Sequence, residues 1–418
     1  MLTTLLHHLH HHLAWLRFAW LNTLRNRRRS AVTVAIAALG TAAILLAGGF
    51  ALATYEALAQ AAARSTGHLV LARAAQFDGD EDVPLQHGLD NAAGLAERLL
   101  ADPEVRQVLP RISFGGLISN GDKSVVMMAE GIAPDAEFAV KGPFLTVLAG
   151  RVLSGDDRQQ VLLGAGLARS LKAQPGSGLT LLASTSAGAL NAQDVTVAGI
   201  VSTGVPELDA RLVYTDINSA QQLLATGRVS SLGIFLSSME ATGPARSRIA
   251  AMLPAGAQAP VLRTWLDQAA FYRSVRDLYN RIFGTLGVIL GVIVVFVVGN
   301  AMAMAVIERT REVGALRAIG SSPGRLITGF ALEGLMLGGV GATLGVLLAS
   351  AVSLALLVFP VQMPPPPGRS VGYPLLVQVD PALYALTVLA MLGLALLASG
   401  LVARRTVHQP ITAALGHV

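Results

Sequence analysis

The densest set of chemistry-bearing side chains sits in an apolar part of the chain. Glu308, Arg309, Thr310, Arg311 and Glu312 follow one another, and Gly314, Arg317 and Gly320 come after them. On a helix Glu308 and Glu312 are one turn apart, and Arg309 lies beside Glu312 and Val313. Such a set can pair internally, which on a surface contributes about 0–1 kcal/mol. It can instead dock a protein partner, where losing a desolvated charge pair costs about 2–5 kcal/mol. The breaker Gly320-Ser321-Ser322-Pro323-Gly324 ends the segment.

Other candidates for chemistry are weaker. His7, His8, His10, His11 and His12 cluster, but no acidic residue or cysteine stands near them, so a polar face is expected rather than a metal site. Glu333 is an acid well inside an apolar run, and intramembrane acids are functional candidates by default. It lies two turns from Arg325, so pairing or snorkelling near the membrane face is expected. Gly121-Asp122-Lys123-Ser124 resembles the tail of a phosphate loop without its upstream glycine. No G-x-x-x-x-G-K-[ST], H-E-x-x-H or G-x-S-x-G occurs, and there is no cysteine. No catalytic residue, metal site or bound cofactor is therefore expected. Work against a gradient would draw its energy from a partner.

The elements that position the 308–320 segment are membrane spans. The chain is 53% hydrophobic and 14% charged, too apolar for an ordinary soluble protein and too polar to lie wholly in a bilayer. Apolar runs at 31–55, 282–307, 326–359 and 382–403 suit the roughly 20 residues that cross a bilayer. The third is longer than needed and must tilt or project. Residues 1–30 carry Leu13, Leu16, Trp20 and Leu24 at helical spacing, with Trp15 and Phe18 nearby, as in an interfacial helix. The following Arg25, Arg27, Arg28 and Arg29 then read as a cytosolic anchor rather than a nucleic-acid site, because a span follows at once. No small-residue cleavage site closes that span, so it is expected to be retained.

Arginine and lysine placement orients the spans. Residues 1–30 hold five, 308–325 four and 404–418 two, whereas 360–381 hold only Arg369. Both termini and the 308–325 turn are therefore expected in the cytoplasm. Glu56–Asn280, with 18 Lys and Arg against 22 Asp and Glu, is expected outside, and its negative balance argues against nucleic acid as a partner. Its core, 56–264, reads as an α+β domain, with strands at 68–72, 124–129, 160–163, 179–182, 195–201, 211–214 and 233–236. Helices are expected at 92–100, 166–171, 219–224 and 245–253. A stalk helix over 265–281 is expected to run unbroken into the second span, with Phe271, Val275, Leu278 and Ile282 on one face. That face is expected to pack as core, and a helix so packed is stiff enough to carry movement as well. Residues 360–381 form a proline-rich turn, Met363 to Pro374, read as a stiff connector. The expected fold is an α-helical membrane protein with four transmembrane helices plus a large extracytoplasmic α+β domain inserted between helices 1 and 2.

Several segments resemble the MacB/FtsX-type (type VII) ABC transporter permeases, a class that includes the lipoprotein-releasing Lol-type permeases. WLRFAWLNTLRNRRRS resembles the family's N-terminal helix and basic collar. VLLGAGLARSL and VTVAGIVSTGVPELDARLVYTDINSAQQLL, within Gln160–Leu224, resemble its periplasmic core domain. ERTREVGALRAIG, Glu308–Gly320, resembles its coupling segment and is the most specific motif present; ARRTVHQPITAALGHV resembles its cytosolic tail.

The resemblance implies a non-catalytic subunit in a bacterial inner membrane, without a fused ATPase domain. Two copies of a separate ABC-type ATPase subunit would use ATP and Mg. They would engage two permease chains, a homodimer in the simplest case and a Lol-type heterodimer otherwise. Glu308, Arg309, Thr310, Arg311, Glu312, Gly314, Arg317 and Gly320 would couple to the ATPase. The stalk would then move the periplasmic domain. TGVPELDARLVY resembles the lipoprotein-releasing branch among others, so extraction of lipoprotein or lipid from the outer leaflet is the first expectation. Efflux of small molecules or peptides through an adaptor and an outer-membrane channel is the second, and regulation of a cell-wall hydrolase the third. A periplasmic carrier or adaptor would be a further partner.

Overall fold

The computed structural model describes residues 27–78, 83–141, 145–254, 256, 259–363 and 372–408. The N-terminal helix and histidine cluster expected within 1–26, the prolines at 364–367 and the tail from 409 on lie outside the described residues. In chain order the elements are α1 (Arg27–Thr66), β1 (Leu69–Ala72), α2 (Ala74–Asp78), α3 (Ala92–Leu100), β2 (Val105–Ser119), β3 (Ser124–Ile132), α4 (Pro134–Lys141), β4 (Thr146–Gly150), β5 (Gln160–Gly164), α5 (Ala165–Leu171), β6 (Gly178–Ser184), β7 (Leu190–Ser202), α6 (Pro206–Asp209), β8 (Leu212–Asp216), α7 (Ile217–Leu223), β9 (Ser231–Leu236), α8 (Thr242–Met252), β10 (Val261–Thr264), α9 (Trp265–Gln268), α10 (Ala270–Glu308), α11 (Thr310–Ala318), α12 (Pro323–Val358), β11 (Gln362–Met363), β12 (Tyr373–Pro374) and α13 (Pro381–Val407). They form two compact units. Among the described residues, one holds those of Glu56–Ser274 with 362–363 and 372–373, and the other holds 27–55, Val275–Val361 and 374–408.

The first unit is built on ten strands in the order β10-β1-β9-β2-β3-β8-β5-β7-β4, with β6 paired to β2 and β7. β3 runs parallel to β8, and β5 parallel to β7. The short apolar strands β5 and β8 are buried on both faces. Val161 and Leu163 of β5 and Val213 of β8 enter one core with α5, α7 and α8. The alternate residues Leu162, Leu212 and Tyr214 enter a second, smaller core with Ile132 and Leu153. A period of two with both faces covered produces a continuous apolar run, and this is why the sequence reveals these strands.

β2 is not visible in the same way. It contains Pro110, Gly115 and Gly116, which weaken a strand signal. It nevertheless spans 15 residues and changes partner midway. Residues 105–111 pair with β9, and 112–119 pair with β3. At the changeover, Arg111 donates to both carboxylate oxygens of the buried Glu137 at 3.1 and 2.7 Å. It also donates to the Ser65 carbonyl near the end of α1, at 2.6 Å. Lys141 completes the cluster, 2.9 Å from Glu137 and 3.2 Å from Glu130. Burial alone would raise the Glu137 pKa, but Arg111 and Lys141 more than offset this and hold it below the usual carboxylate value.

The second unit contains helices α1, α10, α12 and α13, each long and apolar enough to cross a membrane. Apolar side chains give no net drive for association inside lipid, so close backbone approach has to hold such helices together. α12 supplies it through glycines. A Cβ on Gly338 would stand 2.5 Å from that of Ala395 on α13, and one on Gly341 2.5 Å from that of Ala37 on α1. A Cβ on Gly345 would meet Thr41 Cβ at 2.5 Å and the Ala38 carbonyl oxygen at 2.6 Å. α12 therefore uses glycine towards two different neighbours.

The expectation of one unbroken stalk helix from Trp265 is corrected. α9 starts with a capping box, in which Thr264 and Asp267 exchange hydrogen bonds between side chain and backbone. It stops at Ala269, whose φ of −83° and ψ of 61° leave the helical region. Trp265 instead packs edge-on against Tyr272, with ring centroids 5.2 Å apart. The helix that enters the span begins at Ala270. The glycine seam carries a direct consequence: Gly345→Val should separate α1 from α12 and destabilise the protein by about 1–3 kcal/mol, the usual range for overpacking. A lowered midpoint in detergent thermal unfolding checks this, with exposed Gly393→Val as the neutral control.

Candidate functional site

The 308–320 segment forms a junction between α10 and α12. Three residues make the turn. Glu308 ends α10, Arg309 takes φ −113° and ψ 13°, and Thr310 opens α11. The Thr310 hydroxyl lies within hydrogen-bond reach of the carbonyls of Ile307 (2.9 Å) and Val306 (3.1 Å) at the end of α10, sharing its one proton between them. The far end closes as a Schellman motif. The Gly320 N–H donates to the Arg317 carbonyl and the Ser321 N–H to the Leu316 carbonyl, at 3.0 and 2.9 Å. Gly320 has φ +97°, a conformation that a Cβ would strain, so glycine is required there although the space around it is open. Ser322 and Pro323 then start α12, with proline in the first turn where its missing N–H costs nothing.

The charges divide into three groups. Arg309 turns inward and pairs with Glu333 of α12, Nη1 to Oε2 at 3.2 Å, with side-chain exposures of only 12% and 7%. Glu308 pairs with Arg29 of α1 at 3.1 Å, in a contact that water reaches. Arg311 and Glu312 face outward. The expected pairing of Glu333 is thus found, but its partner is Arg309 rather than Arg325. Internal pairing of Glu308 and Arg309 along α11 is replaced by pairs to α1 and α12.

α11 consequently has two unlike faces. Thr310, Val313 and Gly314 are buried and Arg317 is half-buried, on one stripe of spacing three and four. Arg311, Glu312, Leu316 and Ile319 lie on the other side, where Leu316 is 45% and Ile319 84% exposed. Leu316 and Ile319 were missed by reading the segment for charge. Their signal was present, since both fall off the stripe that Thr310, Val313 and Gly314 define.

The stalk residues are placed differently from a core. Phe271, Leu278 and Ile282 are exposed, by 61%, 53% and 51%, and Val275 is half-buried. The expectation that this face packs as core is corrected: in this chain the contacts of α10 lie on another side. Tyr279 packs against Phe50 and Phe283 at 6.2 and 5.5 Å. The Tyr55 hydroxyl donates to Asn280 Oδ1 at 2.8 Å. Aromatic rings and a hydroxyl thus tie α1 to α10, and an apolar periodicity could not reveal that.

Four helices long and apolar enough to span a membrane, a large α+β insertion after the first and a short two-faced helix between the second and third give the described residues the architecture of a multi-pass membrane protein. Comparison with known families agrees along most of the chain. Residues 30–264 match the MacB-like periplasmic core domain, and residues 284–411 match the FtsX-like permease C-terminal family. The chain belongs to the MacB/FtsX-type ABC transporter permeases.

It is similar to the lipoprotein-releasing system transmembrane protein LolE of Haemophilus influenzae, 25% identical over 270 residues, covering 63% of this chain and 64% of that one. It is also similar to LolC of Neisseria meningitidis, 27% identical over 252 residues, covering 57% and 58%. The chain thus spans less than two thirds of the length of these curated relatives. Among solved structures, the periplasmic region of MacB from Actinobacillus actinomycetemcomitans matches with a TM-score of 0.36 and 18% identity, over 49% of this chain and 92% of that one.

The two ion pairs at the junction should differ sharply in weight. Arg309→Gln leaves Glu333 buried without its partner, which costs about 3–5 kcal/mol. Glu308→Gln removes a water-accessible pair worth about 0–1 kcal/mol. Thermal unfolding of the purified protein in detergent should therefore show a large drop for the first substitution and little change for the second.

Proposed function

We propose that this chain is the permease subunit through which a separate ABC-type ATPase drives the α+β unit, and that the outward face of α11 is its docking surface. One observation carries the reading: α11 is fixed to the helical unit along one face and leaves Arg311, Glu312, Leu316 and Ile319 uncovered on the other. Apolar side chains rimmed by charge at a water boundary suit a protein partner. α1 and α10 are each continuous helices whose residues belong to both units, so displacement at Glu308 has a stiff covalent path to Ala270. In this reading ATP and Mg act in the partner, and this chain supplies transmission.

The working unit holds two permeases, because an ATPase dimer offers two sites and each chain has one α11. The site is the bacterial inner membrane, with the α+β unit in the periplasm and α11 in the cytoplasm, as the basic residues imply. The relatives named as lipoprotein-releasing proteins support a lipoprotein or lipid cargo taken from the outer leaflet. Such cargo is handled on the outer side and need not cross the bilayer.

Topology is open to a clean test because the chain has no cysteine. Ala187→Cys in the exposed β6–β7 turn should react with a membrane-impermeant maleimide once the outer membrane is permeabilised. Reaction only after inner-membrane lysis would overturn the assignment.

Docking is tested with Arg311→Glu and Ile319→Asp, both on the exposed face. At about 2–5 kcal/mol for a lost interface charge, Arg311→Glu should weaken ATPase binding by more than tenfold. Co-purification and ATP-driven lipoprotein release from proteoliposomes should both fall while membrane insertion is kept. Glu308→Lys is a poorer probe, because it also places like charge beside Arg29. Wild-type ATPase binding and release in both variants would rule out α11 as the docking element.

A further inference from the structure

We infer that Glu333 is a positioning residue, which through Arg309 locks the start of α11 to the third span and makes α12 a direct recipient of its movement. This rests on the docking reading of α11 above. The geometry supports it in three ways.

First, the contact sits at the turn itself. Arg309 is the residue at which the backbone leaves α10 and has not yet entered α11. Its backbone N–H donates to the Val306 carbonyl, and its side chain goes to α12. A guanidinium tethered there fixes the pivot of α11.

Second, Glu333 is well placed to be rigid. It lies on a closely packed part of α12: the next residue, Gly334, has no room for a Cβ beside Ser399 of α13. Both charged side chains are almost fully covered, so neither can turn to water when α11 moves. A displacement of Arg309 must therefore either carry Glu333 along or break a buried ion pair.

Third, the neighbouring contact is of another kind. Arg29 and Glu308 join α1 to the end of α10 in a pair that water reaches, and such a pair can open and re-form at little cost. The junction thus has one stiff tie, to α12, and one compliant tie, to α1.

The test uses the full-length protein with its partner ATPase in proteoliposomes, comparing wild type, Glu333→Gln and the exchanged pair Arg309→Glu with Glu333→Arg. Two readouts are needed. The first requires no ATPase: spin labels on Ile319→Cys and Leu347→Cys, exposed positions on either side of Glu333, report the distance between the α11 end and α12 by pulsed electron resonance. Wild type should give one narrow distribution, Glu333→Gln a broad one, and the exchanged pair a narrow one again. The second is lipoprotein released per ATP hydrolysed. Glu333→Gln should keep ATPase binding near wild type, because Arg311 and Ile319 are untouched. It should lose at least tenfold in release per ATP, and the exchanged pair should recover most of that loss.

If Glu333→Gln lowers membrane yield, recovery of both readouts in the exchanged pair still supports the inference. A narrow distribution and unchanged release per ATP in Glu333→Gln would overturn it. So would a folded exchanged pair that recovers neither. If wild type binds no ATPase, the docking reading fails, and the spin-label series alone decides whether Glu333 holds α11.

Discussion

A buried ion pair, Arg309 with Glu333, is the constraint on which the helical unit depends. An ionised side chain among apolar helices is tolerated only with its counter-charge at hand. The two groups lie 24 residues apart in sequence, and everything between them must return the chain to within 3.2 Å. α10 must therefore end at Glu308, a helix of nine residues must follow, and it must stop cleanly. Gly320 provides the stop and Pro323 the restart. The short helix is thus held between two fixed points, its inner face along Thr310, Val313 and Gly314.

Beyond that pair, the Arg29–Glu308 contact and the Tyr55–Asn280 hydrogen bond, the helices meet through apolar clusters that carry little directional information by themselves. The bilayer removes the hydrophobic drive that would sort such helices in water, so steric fit has to do so. Glycines of α12 provide this fit towards α13 at Gly338 and towards α1 at Gly341 and Gly345. Charge sets where the chain turns, and glycine sets how closely the helices meet after the turn.

The α+β unit uses the same device where its longest strand changes partner. Arg111, Glu137 and Lys141 are buried together, and Arg111 also holds the Ser65 carbonyl near the end of α1. Removing Glu137 would leave the Arg111 guanidinium without its carboxylate in a low-dielectric site, which is strongly destabilising. The helix that enters this unit from the first span is thereby tied to the strand around which the two cores are arranged. The transmission proposed for this chain would need such stiff anchor points.

The amino-acid sequence by itself determined the four spans, the α+β class of the insertion, the breaker after Ile319 and the presence of a charged segment between the second and third spans. Hydropathy, periodicity and glycine or proline placement act over a few residues, so they can be read along the chain. β5 and β8 were legible because both of their faces are covered. β2 was not, because its proline and glycines are explained only by partners that lie elsewhere in the chain. The sequence placed Glu308, Arg309, Arg311 and Glu312 in one group. The tertiary structure alone separated them, turning Arg309 inward to Glu333 and Glu308 towards Arg29, and leaving Arg311 exposed beside Leu316 and Ile319. It also broke the stalk at Ala269 and left Phe271 uncovered. Each of these outcomes depends on which distant residue a side chain meets, and burial decides whether that meeting is strong or weak. Local pattern holds neither piece of information.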